Sequence, residues 1–385
     1  MHILVAFDKF KDSMTAAEAC LIAEEALLRA HPTWTISTAP LTDGGEGFCE
    51  ILTKALYGDF EQVPVFGPQL VPQTGRVGFV DVSNVPDPVR SMLKLPGWGQ
   101  VAIIEMAEAS GLQSIPVNQR SPWTATSYGT GQLIAHAADS GAAAIILGVG
   151  GSATIDLGLG ALEAIGLELV DEDGGTMTKA MPKDWPRLMR LRGETWPHIP
   201  PIYIACDVRN PLLGPNGAVR VFGKQKGLLP DQMPSYEKLL GGLAKKLCDA
   251  TNSERTLMAQ PGTGAAGGIP FGLAAACDAS IVPGYEFVEA WLDLKKKISE
   301  ADLVVTGEGK FDASSMQGKG PGSILQEAVR QKKPAKVMAG LVEHGLPLPA
   351  KTTADVIAPI GYTKERSIAE GKKLLARKVV DVFLR

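Results

Sequence analysis

Five times along this chain an apolar run of strand length stops at an acidic residue or at paired glycines. The events fall at Asp8, at Asp43–Gly44–Gly45–Glu46–Gly47, at Gly150–Gly151–Ser152, at Asp207 and at Gly307–Glu308–Gly309. Short, continuously apolar runs read as strands buried on both faces, which is the mark of a parallel sheet covered by helices. In such a sheet the carboxyl ends of the strands share one edge, and ligands bind in the crevice there. The pattern therefore constrains the fold and the place of the chemistry together. Five loops can meet at one cleft if every module turns its strand ends toward it.

The order of elements sharpens this. Residues 3–7 read as a strand, and Ser13 or Thr15 can cap a helix running to about Ala30. A second strand over 35–39 leads into a helix over about 48–56. Residues 58–100 are rich in Pro, Gly and Val and break that rhythm. Further strands are expected at 101–105, 143–149 and 202–205, and helices at 126–140 and 157–165, with 171–200 as loop or hairpin. From Tyr285 the α/β rhythm returns: helix 286–299, strand 303–306, helix 322–330, strands 336–339 and 356–358, and a closing helix at about 367–383. The two chain ends resemble each other and the middle does not. The expectation is two α/β domains: a discontinuous Rossmann-like parallel-sheet domain from 1–62 and 285–385, a mixed α/β domain inserted over 63–284, and a cleft between them.

Composition decides which partners to exclude. Hydrophobic residues make up 45% and charged residues 21%, enough to bury a large core. The net charge is −4 with no basic run, so a nucleic-acid or anionic-membrane partner is not expected. The longest apolar stretch, 142–149, is far too short to cross a bilayer, and the N-terminal residues read as a strand and not as a signal peptide. The five cysteines show no C-x-x-C spacing and the five histidines no H-x-x-x-H pair, which argues against zinc and for reduced thiols in the cytoplasm.

The candidate chemistry rests on three residue classes. Gly150, Gly151 and Ser152 lie between a strong strand and a helix, where amides can face a phosphate. Gly264 and Gly267 sit in a second glycine-rich loop, and Gly307 ends a strand. Taken singly, such turns are as well explained by tight packing. No G-x-x-x-x-G-K motif followed by Ser or Thr exists, and no G-x-G-x-x-G follows the first strand, so neither a P-loop protein nor a nicotinamide dehydrogenase is expected. Asp43, Glu46 and Glu308 stand among glycines at strand ends and supply the hard oxygens that Mg²⁺ requires; helix capping is the competing explanation for each alone. Lys11 and Lys319 can neutralise phosphate or carboxylate, whereas Lys9 and Lys224 read as solvated. No histidine is placed for a hydrolytic triad.

At this point the motifs resemble a known family, the bacterial glycerate kinases of the glycerate 2-kinase type. The residues that carry the resemblance are the 6–13 segment AFDKFKDS, Asp43–Gly44–Gly45–Glu46–Gly47, IEMA with ASGL over 104–112, TSYGTG over 126–131 and GVGGSAT over 148–154. CDV with NPL and GPNGA over 206–218, GAAGG over 264–268 and TGEG over 306–309, with Asp312 and Gly318–Lys319 behind, complete it. The resemblance implies ATP and Mg²⁺ as cofactors and D-glycerate as substrate, with a 2-phosphoglycerate product favoured. In that frame Asp8, Lys11, Asp207 and Lys319 are the candidate catalytic residues, Asp43, Glu46 and Glu308 the metal ligands, and Gly150, Gly151, Ser152, Gly264, Gly267 and Gly307 the nucleotide contacts. A monomer or homodimer is expected. Two departures stand out. Ile155 and Leu157 replace the family's Asn and Gly after GGSAT, and Lys9 and Asp12 replace its usual Ser and Gly near the start. They keep open an alternative: a catalytically altered paralogue that binds a nucleotide or sugar acid, or a kinase for a related hydroxy-acid.

Overall fold

The computed structural model describes residues 1–316 and 320–384. By internal contacts the chain forms two compact units, one from Met1–Asp43 with Tyr285–Arg385 and the other from Gly44–Gly284. The chain therefore leaves the first unit inside the 43–47 motif. Residues 44–62, assigned above to the terminal domain, belong by contact to the second unit, because the helix Phe48–Ala55 packs on the strands Pro72–Asp81 and Gln100–Glu105.

In the first unit, five parallel strands lie in the spatial order Thr352–Val356, Ala335–Ala339, Leu303–Gly307, His2–Phe7, Thr35–Thr38. From the first strand the chain steps one way to Thr35–Thr38. After residue 303 it steps the other way, through 335–339 to 352–356. The direction reverses between His2–Phe7 and Leu303–Gly307, and that reversal is the topological switch point where a doubly wound sheet opens its crevice. The first helix, Ala16–Ala30, starts at Thr15 and not Ser13. The Thr15 hydroxyl accepts from the Glu18 amide at 3.2 Å, and Glu18 accepts back from the Thr15 amide at 3.0 Å. Ser13 instead donates to the Ile368 carbonyl. Ile3, Val5, Phe7, Leu27, Val305 and Leu375 anchor the core on one face of the sheet. The expected helix over 286–299 is two helices, Gly284–Trp291 and Leu294–Glu300, broken where Asp293 takes a left-handed conformation.

The second unit carries a six-stranded mixed sheet in the order Ser280–Val282, Ile202–Ala205, Ala144–Gly148, Gln100–Glu105, Pro72–Asp81, Asp59–Phe66. Its first four strands are parallel and the last two form an antiparallel extension. Within 171–200, read as loop or hairpin, the strand Leu188–Arg192 pairs with Glu168–Asp171 in a three-stranded antiparallel sheet. Ala144–Gly148 is buried at every residue, which explains its unbroken apolar run.

Candidate active site

At the switch point of the first unit, Asp8 follows the end of His2–Phe7 and Glu308 follows the end of Leu303–Gly307. The Asp8 amide donates to the Gly307 carbonyl at 2.9 Å, which ties the two strand ends together. Burial, then the neighbouring charge of Asp43, pushes the Asp8 carboxyl up to about 6, although the Lys9 amide donates to it at 2.6 Å. Burial pushes Glu308 up to about 7; Asp8 and Asp312 add to the rise and the Ser315 hydroxyl opposes it. Glu308 Oε1 is buried with no hydrogen-bond partner among the described residues. Such an orphaned buried oxygen beside a second, half-buried acid is a costly arrangement for a folded protein unless something positive completes it.

These acids line a cavity of about 880 Å³. Lys9, Lys11, Lys310 and Lys364 also line it, so both signs of charge face the space. Lys9, read from sequence as merely solvated, thus belongs to the pocket. Asp12, standing where the family carries glycine, has φ +64°, which explains the family's choice: Asp is among the few side chains that tolerate that backbone. Lys319 and Gly318 lie outside the described residues.

The other predicted residues sit in the second unit. The Gly150 amide is spent on the Gly44 carbonyl at 2.8 Å, and a Cβ at Gly150 would come within 2.5 Å of Gly45 Cα. The Gly150–Gly151–Ser152 turn is also pinned to 110–112, by Leu112 N to Gly151 O and Ala153 N to Ser110 O, each 2.8 Å. The helix expected directly behind it begins only at Leu159, so these amides do not form its first turn. Gly264 and Gly267 owe their identity to packing: a Cβ would come within 2.0 Å of the Pro211 and Thr154 carbonyls, respectively. In the first unit, Gly307 likewise lies against the Met338 carbonyl. Asp207 follows the strand Ile202–Ala205, half-buried. Glu46 is exposed in this unit, whereas Asp43 and Glu308 belong to the first. Among the described residues no group of three or more His, Cys, Asp or Glu is arranged to hold a metal. Mg²⁺ commonly takes only one or two carboxylates and fills its shell with water and phosphate oxygens, so the orphaned Glu308 oxygen still suits it.

Two ionisable residues of the second unit escaped the sequence reading. Glu105 ends the strand Gln100–Glu105, directly after its apolar run 101–104; burial, then Glu108, lifts its carboxyl to about 7, with Glu46 adding a little. Lys226 is wholly buried. Its Nζ donates to Ser152 Oγ at 2.8 Å and to the Thr154 carbonyl at 2.7 Å, and so fixes the far side of the glycine turn. Burial drives it down from 10.5 to about 7, with Asp156 opposing the fall. Below pH 7 both folded and unfolded chains hold that proton. Between 7 and 10.5 the unfolded chain holds more, so native stability rises with pH across the window. Relative to Lys226→Met, the wild type should gain about 3 kcal/mol between pH 6.5 and 9.5. Urea unfolding of both proteins at the two pH values measures this, and a gap independent of pH would refute it.

Ile155 and Leu157, the two departures from the family pattern, are both fully buried in the core of this unit. Leu157 holds φ +60° where the family has glycine, a strain of roughly 1 kcal/mol that burial of its side chain offsets. They are packing changes, and they give the non-catalytic alternative no support.

The described residues contain no helix long and apolar enough to cross a membrane. The family model of the glycerate kinases matches residues 3–384. A glycerate kinase of Halalkalibacterium halodurans is 36% identical over 99% of this chain and 97% of its own. The glycerate 2-kinase of Escherichia coli K12 is 35% identical over 88% of this chain and 85% of its own. A crystal structure assigned to glycerate kinase 2 of Salmonella typhimurium LT2 covers 99% of this chain and 97% of its own, with TM-score 0.78 and 32% identity. A family match over nearly every residue, with relatives about 35% identical across most of the chain, makes this chain a kinase of the glycerate kinase family.

Proposed function

We propose that the protein transfers the γ-phosphoryl group of ATP to the 2-hydroxyl of D-glycerate, giving 2-phosphoglycerate and ADP, in the cytoplasm. The observation that carries this reading is the orphaned Glu308 oxygen beside Asp8 at the switch point, in a cavity also lined by lysines. Five cysteines without a C-x-x-C spacing suit a reducing compartment.

In the proposed reaction the glycerate oxygen attacks phosphorus in line as the bond to the β-phosphate oxygen breaks, and the hydroxyl proton passes to a carboxylate. Asp8, raised toward neutrality, is suited to accept that proton, and Asp207 is the second candidate. Lys11 would hold the substrate carboxylate or a phosphate, and Lys319 the polyphosphate. Glu308, with Asp43, would hold Mg²⁺, which when bound draws charge off the phosphate oxygens. Gly151 and Ser152 remain candidates for phosphate contact; Gly150 would act through the shape of the turn.

Phosphorus NMR of the product from ATP and D-glycerate tests the reading. A 2-ester shows phosphorus split by one proton and a 3-ester by two; the absence of any ester refutes the activity. Lys11→Ala and Asp207→Asn should each lower turnover by at least ~10²-fold with the fold intact. Near-normal rates would remove both from the site.

A further inference from the structure

The cavity of the first unit is much larger than a three-carbon acid needs, and both charged and aliphatic side chains line it. Asp8, Glu308, Lys9, Lys11 and Lys310 follow the ends of the His2–Phe7 and Leu303–Gly307 strands, and Lys364 starts the helix Lys364–Ala369. The chain after Ala335–Ala339 and Thr352–Val356 adds an aliphatic wall: Leu341, beside Gly309 and paired with Lys310, and Val356, Ile357, Pro359 and Ile360 line the cavity. Three of these are large hydrophobic side chains left in solvent, Leu341 at 53% exposure, Val356 at 41% and Ile360 fully exposed. Scattered exposed aliphatics need no explanation, but three on one wall of one cavity mark a binding surface. Glycerate bears hydroxyls and a carboxylate and has no apolar face to bury there. A nucleoside triphosphate has both halves: a flat base that gains by leaving water, and phosphates that call for cations.

We infer that the apolar wall formed by Leu341, Val356 and Ile360 holds the base of the nucleotide, with its phosphates directed to the strand ends at Asp8 and Glu308 in the same cavity. The inference rests on the ATP-dependent reading above and adds to it where the base lies and what grips it. The cavity volume falls within the range that ordinarily encloses ligands of this size. The wall residues end short strands or stand in the turn after residue 356, where the Tyr362 amide closes on the Pro359 carbonyl at 3.2 Å. The surface is thus preformed on sheet edges. Tyr362 also lines the cavity, held by Arg366 over its ring at 4.0 Å.

The test is isothermal titration of the full-length protein with MgADP and, separately, with magnesium tripolyphosphate, comparing wild type with the double variant Leu341→Asn/Ile360→Asn. Both positions are solvent-exposed, so the thermal melt should be unchanged. Wild type should bind ADP more tightly than tripolyphosphate. The variant should lose about 10-fold for ADP, as expected for exposing part of an aromatic base, and keep tripolyphosphate within about 2-fold. Unchanged ADP affinity in the variant would overturn the assignment of the wall while leaving the kinase reading intact. Equal wild-type affinities for the two probes would do the same. A wild-type protein that binds neither probe would overturn the assignment together with ATP dependence.

Discussion

Glu308→Gln should lower the rate of glycerate phosphorylation by about 10³-fold and leave the melting temperature of the metal-free protein unchanged or raised. The two effects have one cause. Glu308 is held among like charges, Asp8 and Asp312, with one oxygen buried and unpartnered. In a chain selected for stability alone, that unpartnered carboxyl is a liability. The amide keeps the shape and removes the charge, so the fold loses a repulsion while the site loses its hard anionic ligand. Opposite signs for activity and stability distinguish a functional group from a structural one. A coupled assay for ADP release and a thermal melt in chelator measure both. Falls in both quantities would make Glu308 part of the scaffold, and an unchanged rate would remove it from the site.

The second large effect is expected in the other unit and on stability. Asp156→Ala should cost about 4 kcal/mol of unfolding free energy. Asp156 is buried and accepts hydrogen bonds from the Ser127 amide and hydroxyl, both at 2.7 Å, and from the Gly158 amide at 3.2 Å. Ser127 Oγ in turn accepts from the Ala161 amide at 3.0 Å. Alanine leaves three donors without their acceptor and takes away the counter-charge that Lys226 feels. Because Lys226 can shed its proton, the loss falls short of that for an isolated buried cation. In a double-mutant cycle, Lys226→Met should recover part of the loss, so the two changes add to less than their sum. Urea midpoints for the four proteins decide it. A single-variant loss under about 1 kcal/mol would show that the network does not hold the unit together.

The strand-end acids were the most legible part of the sequence. Asp8 and Glu308 announce themselves because a carboxylate that terminates an apolar run cannot be part of the core packing that made the run apolar. Glu105 obeys the same rule. It lay inside a motif read only as a whole, and so passed unnoticed. The helix Met233–Thr251 was passed over, although Tyr236, Leu240, Leu243 and Leu247 stand at helical spacing. Lys226 was not readable. Nothing in Gln225–Lys226–Gly227 separates a buried lysine from a solvated one, because its partners, Ser152 and Thr154, stand more than seventy residues away. The glycines misled in the opposite direction. Gly264 and Gly267 look like ligand loops in one dimension, and in the fold each also faces a backbone carbonyl that leaves no room for a Cβ. The boundary at residue 43 was hidden for a similar cause: helix 48–55 looks like the next step of the terminal rhythm until its packing partners are known.

The interrupted first unit has a consequence for synthesis. His2–Phe7 finds one neighbour, Thr35–Thr38, within forty residues, but its other, Leu303–Gly307, is translated some three hundred residues later. On the ribosome the inserted unit is complete while the opening strand still shows a bare hydrogen-bonding edge. A nascent chain stalled in this interval carries an unpaired β-edge beside an already folded body. That is where chaperone dependence and aggregation of this protein should concentrate.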